Sequence, residues 1–284
     1  MAESTALDCM YKFCRAVVAL FGPTYLRAPT TADTARILEV NEARGFPGML
    51  GSIDCMHWKW KNCPFAWQGI YKGHKGGCSV ILEAVATQDL WIWHSFFGMA
   101  GSNNDINVLQ CSPIFAKLVE GHAPPVTFQI NGHEYNKGYY LADGIYPKWS
   151  TFAKTISKPA IPKHVEYAKV QEACRKDVER AFGVLQAKFA VVRFPAMTWS
   201  PQRMWEVMNA CICLHNMIID NERDNPVDEN ESFFRQGPLA EPDHQVPSSW
   251  ASFLTMRQEI RDPPTHAQLQ NNLVEHLWRR KGSA

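Results

Sequence analysis

The chain has 284 residues, of which 46% are hydrophobic and 12% aromatic, so it can bury the core of one large domain or two ordinary ones. Because 29 basic residues face 28 acidic ones, the formal net charge is +1, and any nucleic-acid-binding surface must be local. No apolar run approaches the ~18 residues of a membrane-spanning helix, and Glu3 and Asp8 lie where a signal peptide is basic.

The nine cysteines are odd in number, and none form a C-x-x-C pair. This favours reduced thiols in an intracellular compartment over a disulfide framework. A zinc site at Cys211, Cys213 and His215 is the weaker interpretation, because in a helix Cys213 points away from the other two and no second ligand pair exists. Buried core cysteines explain this stretch better.

Residues 1–48 are predicted to form a small helical segment. Apolar residues recur at helical spacing over 10–21, and two prolines then break the pattern. A second short helix is predicted for 31–44, with Thr31 or Asp33 near its N-cap and Gly45 just past its end.

The pattern changes to strands and helices over 49–220. Strands are predicted at 51–60, 78–89, 90–100, 126–130 and 137–144. A helix capped by Asn103, Asn104 or Asp105 follows the third strand, and long helices cover 165–192 and the stretch from Pro201. Three antiparallel strands followed by β–α units indicate an α/β fold with helices on the faces of a layered sheet.

The end of the chain has a different composition. Residues 221–264 are acidic, contain several prolines and lack periodicity, which predicts a poorly ordered linker. A short helix and basic tail are predicted for 265–284.

Three acidic residues lie on three different predicted elements. Asp54 lies within the aromatic strand GSIDCMHWKW, Asp143 ends a later strand, and Glu179 lies on the strongest helix. A buried carboxylate is costly unless a hydrogen bond or a metal ion satisfies it. Phosphodiester chemistry needs two divalent ions held by two or three carboxylates on rigid elements, and these residues fit that need. For Glu179 alone, an ordinary solvated helix face is the alternative.

Basic and aromatic residues interleave between Trp58 and Lys75, a composition that can hold a DNA backbone and stack bases. A loop with partly buried tryptophans explains this stretch equally well. Further basic residues lie within one turn of Glu179. The candidate DNA-binding residues are Lys72, His74, Lys75, Arg175, Lys176 and Arg180.

Six blocks resemble, in order, the plant form of the DDE transposases of the PIF/Harbinger superfamily. The blocks are GFPGMLGSIDCMHWKWKNCP, ILEAVATQDLWIWHSFFG, GSNNDINVL, YYLADGIYPKW, RKDVERAFGVLQAKFA and LHNMI. The resemblance covers about residues 5–222 and implies an RNase H-like mixed sheet flanked by helices. It also implies a catalytic triad of Asp54, Asp143 and Glu179 that holds two divalent ions, Mg²⁺ or Mn²⁺. Asp105 is a rival second aspartate, for which helix capping is a sufficient explanation.

The resemblance implies a metal-dependent endonuclease that cleaves DNA and joins strands, acting on terminal repeats and a short A/T-rich target. It further implies a Myb-like accessory protein, a nuclear location (cytoplasmic without that partner), no membrane association, and compatibility with a homo-oligomer. Family sequence begins almost at Met1, which suggests a truncated copy, a fragment or a host-recruited gene. One alternative is a catalytically silent domesticated transposase that acts as a DNA, chromatin or protein-interaction module. A carboxylate hydrolase acting on sugars is a weaker alternative, because the spacing gives no reason to prefer it.

Overall fold

The structure, a computed structural model, describes residues 2–73, 76–114, 116, 126–223 and 258–282. Two helices, α1 (Glu3–Tyr25) and α2 (Thr31–Ala43), precede the sheet. The prediction that a proline breaks the first helix was wrong at Pro23, which lies in the last turn of α1. The N-cap of α2 is Thr30, one residue before the predicted position, and it forms a capping box with Asp33.

In the described ranges, seven strands form two sheets. They are β1 (Met49–Lys59), β2 (Ser79–Ala86), β3 (Ile92–Ala100), β4 (Phe128–Ile130), β5 (His133–Tyr135), β6 (Tyr139–Ala142) and β7 (Phe152–Lys154). The larger sheet has the order β3-β2-β1-β6-β7, in which β1, β2 and β3 pair antiparallel while β6 runs parallel to β1 and β7 parallel to β6. Strands β4 and β5 form a separate hairpin, so the strand predicted at 126–130 is not part of the main sheet.

Helical segments follow β1 in the described part of the chain. They are a 3₁₀ turn at Phe65–Trp67, α3 (Gln68–Tyr71), α4 (Asp105–Cys111), α5 (Pro162–Lys188), α6 (Ala190–Arg193) and α7 (Pro201–Glu222); a further helix, α8 (Pro263–Gly282), lies near the chain end. The helix predicted over 165–192 ends at Lys188, because Phe189 leaves the helical region with φ −119° and ψ 95° before α6 begins. The terminal helix begins at Pro263, so the predicted boundary at 265 is two residues late.

Helices cover both faces of the main sheet, which confirms the predicted mixed α/β fold. One face packs against α1, α5 and α7 through the largest apolar cluster, which includes Met56, Leu82, Val178 and Ile212. The opposite face packs around Ile53 and Val85 together with residues that follow β6. Helix α8 packs against α5 and β7. Most of the predicted linker, 224–257, lies outside the described residues.

Two buried polar contacts join the helices to this frame. The Asn216 side chain on α7 accepts from the Ile92 N–H at 2.9 Å and donates to the Ile92 carbonyl at 2.9 Å and the Tyr25 carbonyl at 2.8 Å. Arg44, just after α2, donates to both carboxylate oxygens of the fully buried Asp177 on α5, at 2.6 and 3.2 Å. These contacts fix α5 and α7 relative to the strands.

All nine cysteines lie in the described part of the chain and are free thiols. Cys211 and Cys213 are buried in the core, and His215 donates from Nε2 to the Leu90 carbonyl at 2.8 Å. This agrees with the core interpretation of the stretch. Within the described ranges, no helix combines the length and apolarity needed to cross a bilayer.

Candidate active site

Asp54 lies on β1, and Asp143 comes directly after the neighbouring parallel strand β6. Ser52 on β1 pairs with Leu141 on β6. Asp54 and Asp143 each follow two residues later, Asp54 in the middle of β1 and Asp143 directly after Ala142, where β6 stops. The Asp143 carboxylate accepts a short hydrogen bond from the Ile145 N–H, which fixes the turn after β6.

Asp54 is largely buried, with 19% of its side chain exposed. Its Oδ1 accepts from the Cys55 N–H at 2.8 Å, so one oxygen is used locally. Burial raises the pKa of Asp54 to about 6, while the Cys55 N–H and Arg175 oppose the shift and the charges of Asp105 and Glu179 add to it. The site therefore has an excess of negative charge that favours a bound cation.

Arg175 contacts both Glu179 and Asp54. Nη1 of Arg175 lies 3.3 Å from Asp54 Oδ2 and 2.6 Å from Glu179 Oε1, and Glu179 follows Arg175 by one turn of α5. Both carboxylate oxygens therefore lie within contact distance of one nitrogen atom. Helix α5 packs directly on β1, so Asp54 and Glu179 are both carried by rigid elements.

Asp105 is not the helix cap that its sequence position suggests. Asn104 caps α4 by accepting from the Asn107 N–H at 2.9 Å, and Asp105 is the first residue of the helix. Burial raises the pKa of Asp105, a hydrogen bond with Cys55 opposes this, and the charge of Asp143 adds to it. Asp105 thus belongs to the acidic group around Asp54, although the sequence analysis explained it as a helix cap.

A buried polar network lies on the opposite face of β1 and β2. Glu83 pairs with Cys55 across the strands and is fully buried, and its Oε1 lies 3.2 Å from Nε2 of His94. The same nitrogen lies 3.1 Å from the Ser112 hydroxyl. Sequence reasoning missed this network, although a charged residue within the apolar run SVILEAVA was the available signal.

The predicted DNA-binding residues do not form one described patch. Arg175 is bonded to the carboxylates, and Arg180 forms a short ion pair with the buried Asp177. Lys176 is half exposed and pairs loosely with Glu172 at 3.8 Å, while Lys72 is exposed after α3. The remaining two, His74 and Lys75, lie outside the described residues. Their contact with DNA stays a prediction.

The chemistry of the three carboxylates fits hard divalent cations. Asp54 in the middle of β1, Asp143 just after β6 and Glu179 on α5 would supply oxygen ligands, and a bound ion would offset the burial of Asp54. In the described part of the chain, no three His, Cys, Asp or Glu side chains are already arranged closely enough to hold one ion. Two of the three, Asp54 and Glu179, contact the Arg175 guanidinium.

Comparison with known proteins identifies relatives. A family model described as "Plant transposon protein" matches residues 23–226. Proteins named "Putative nuclease HARBI1" are 23% identical over 250 residues in Rattus norvegicus (81% of this chain, 63% of the relative) and 23% over 210 residues in Homo sapiens (70% and 55%). The relative from Bos taurus is 23% identical over 63% of this chain and 48% of its own length. The chain therefore spans about half to two thirds of these relatives, and no solved structure matches it.

Proposed function

Since this chain belongs to the plant transposon protein family, we propose that it is a transposase-derived nuclease that hydrolyses DNA phosphodiester bonds with two divalent ions, Mg²⁺ or Mn²⁺. The observation that carries this proposal is the meeting of Asp54 and Glu179 on one guanidinium nitrogen, with Asp143 at the adjacent strand end. Three carboxylates from rigid elements are what a two-metal phosphodiesterase uses.

Each acidic residue has a distinct task in this proposal. Asp54, held by the Cys55 N–H through one oxygen, presents its other oxygen toward α5 and would bind both ions. Asp143 and Glu179 would supply further carboxylate ligands to the ions. When bound, the ions would supply activation of the attacking oxygen and stabilisation of the leaving one.

A placement within the PIF/Harbinger superfamily, with an RNase H-like sheet, is part of the proposal. The order β3-β2-β1-β6-β7, antiparallel for three strands and parallel for the last two, supports it. On this basis we propose action on transposon terminal repeats and a short A/T-rich target, strand transfer after cleavage, a Myb-like accessory protein and a nuclear location. A homo-oligomer remains compatible with these proposals.

Nicking of supercoiled plasmid DNA tests the function. The wild-type chain should nick with Mg²⁺ or Mn²⁺ and not with a chelator, and Asp54→Asn should lose at least about 100-fold of that rate, because a neutral ligand loses most of its attraction for a hard cation. The matched control is Asp8→Asn, a surface carboxylate on α1 that pairs with Lys12 at 2.8 Å. Equal nicking by Asp54→Asn and Asp8→Asn would refute the assignment.

A silent module is the second candidate function. One observation favours it: Arg175 pairs with both Asp54 and Glu179, so part of the negative charge of the site is offset by a side chain of the protein itself. Such a module would bind DNA or chromatin without cutting it. A folded wild-type chain that binds duplex DNA but never nicks it, with either ion, would support the module over the nuclease.

A further inference from the structure

Arg175 makes the two ion pairs that join the strand side of the site to the helix side. One nitrogen, Nη1, contacts Asp54 Oδ2 at 3.3 Å and Glu179 Oε1 at 2.6 Å. Only 13% of the Arg175 side chain is exposed, so this guanidinium is held within the site. The guanidinium therefore occupies the place of a cation that Asp54 and Glu179 would share.

The oxygens that Arg175 contacts are those a divalent ion would need. Asp54 Oδ1 already accepts from the Cys55 N–H, which leaves Oδ2 as the oxygen directed toward the helix. Glu179 is 42% exposed and pairs with Arg175 through Oε1. A guanidinium and a metal ion cannot both occupy the space between these two oxygens, because both are cations that require close contact with them.

Without Arg175 the acidic group would repel itself. Asp105 and Glu179 both act on Asp54 as like charges, and burial limits screening by water. An opposite charge at contact distance is therefore needed whenever no ion is bound. Arg175 supplies it from the turn of α5 that precedes Glu179.

We propose that Arg175 is a positioning residue that serves as an exchangeable internal cation: it holds Asp54 and Glu179 together in the metal-free protein and must leave both oxygens before a divalent ion can take them. This inference rests on the proposed function. Once released, Arg175 remains one helical turn from Glu179 and carries a charge suited to a phosphodiester, which links metal loading to engagement of DNA.

Lys176 offers a matched control on the same helix. It lies next to Arg175 in sequence, carries the same charge, and is 52% exposed beside Glu172. Arg175→Gln and Lys176→Gln thus change the net charge of the chain equally. Any difference in Mn²⁺ affinity between the two variants therefore comes from the position of the lost charge, because both variants lose the same amount of charge.

The test is Mn²⁺ binding to the full chain without DNA, measured by electron paramagnetic resonance of free Mn²⁺. Arg175→Gln should bind Mn²⁺ on the order of tenfold more tightly than Lys176→Gln, because the competing internal cation is gone. Arg175→Lys should return the affinity toward wild type. In the absence of Mn²⁺, Arg175→Gln should melt at a lower temperature than Lys176→Gln, and added Mn²⁺ should remove that difference.

Equal or weaker Mn²⁺ binding by Arg175→Gln, or no binding by either variant, would overturn the proposal. If Arg175→Gln fails to fold, an experiment on the wild-type chain tests the same proposal. The side-chain nitrogen resonances of Arg175 should shift during an Mg²⁺ titration, and unchanged resonances would reject the exchange. If the wild-type chain nicks DNA in an Asp54-dependent way while the Arg175 resonances do not shift, the nuclease proposal holds and the Arg175 proposal is wrong. If the Arg175 resonances shift but no nicking occurs, the Arg175 proposal holds and the nuclease proposal is wrong.

Discussion

At the scale of single residues, Asp54 explains why an aromatic strand carries a carboxylate. Burial raises the pKa of this group to about 6, even though Arg175 and a backbone N–H counteract the shift. A structural aspartate with complete local compensation would have the opposite shift, as Asp33 does beside Arg27 and Thr30 despite its burial. Asp54 is therefore under-compensated in the metal-free protein, as expected of a metal ligand.

Asp54→Asn should stabilise the metal-free protein at neutral pH. The folded-state pKa is about 6 against an ordinary value of 3.8, so the protonated form favours folding below pH 3.8 and this contribution is lost as pH rises through 6. The free energy of unfolding of Asp54→Asn relative to wild type should therefore increase by roughly 2 to 3 kcal/mol between pH 4 and 7. Urea unfolding with a chelator at several pH values measures it.

The control for this comparison is Asp8→Asn. A surface contact with Lys12 lowers the pKa of Asp8, so its removal should give no such increase with pH. A stability difference for Asp54→Asn that stays constant from pH 4 to 7 would show that the ionised Asp54 carboxylate is satisfied without metal.

At the scale of elements, Asn216 joins α7 to the outer edge of the main sheet. Strand β3 ends the strand order, and the Asn216 amide replaces a neighbouring strand by bonding both the N–H and the carbonyl of Ile92. The sequence block LHNMI contains this residue, and only the structure shows why an amide stands among apolar residues there.

Asn216→Leu should destabilise the fold by roughly 2 to 4 kcal/mol, because the two Ile92 groups and the Tyr25 carbonyl lose their partner in a buried place. Thermal unfolding measures the loss. Asn209→Leu changes a half-buried residue of the same helix whose amide donates to the Trp205 carbonyl, and it is the matched control. Similar melting temperatures for the two variants would show that the contact of Asn216 with the edge strand does not stabilise the fold.

The longer helices and strands were predicted correctly, because each has enough residues to show a clear sequence pattern. Strands β1, β2 and β3 follow from β-branched and aromatic residues bounded by turns, and helices α5 and α7 follow from helical spacing. The three-residue strands β5 and β7 carry too few residues to show a period, and β7 forms only because β6 offers it a parallel partner. The break at Phe189 was missed because its apolar side chain continues the helical pattern of α5 while its backbone does not.

The candidate site was predictable in its residues and not in its contacts. Asp54, Asp143 and Glu179 stood out by residue type and neighbouring motif. Arg175 was assigned to DNA, because one sequence cannot show whether a basic residue next to a carboxylate faces solvent or pairs with a second carboxylate from the sheet. The rotation of α5 on β1 decides that, and it is a property of packing.

At the scale of the whole molecule, charge is almost balanced, so DNA affinity depends on a few residues. Of the four predicted DNA-binding residues in the described part, Arg175 and Arg180 already contact carboxylates. We therefore expect weak binding without sequence preference, with log affinity falling against log salt at a slope no steeper than about −5.

Titration of terminal-repeat and scrambled duplexes at several salt concentrations measures this slope. Tight binding that distinguishes the two duplexes would show that this chain carries its own base-reading surface, in contrast to the accessory partner proposed above.

We propose above that Asp54, Asp143 and Glu179 hold divalent ions. Anomalous diffraction from crystals grown with saturating Mn²⁺ tests it most directly. The account predicts two Mn²⁺ peaks about 3.5 to 4 Å apart, bound by Asp54, Asp143 and Glu179, with Arg175 withdrawn from both of its carboxylate partners. Crystals without a peak near Asp54, in which Arg175 still bonds Asp54 and Glu179, would contradict it.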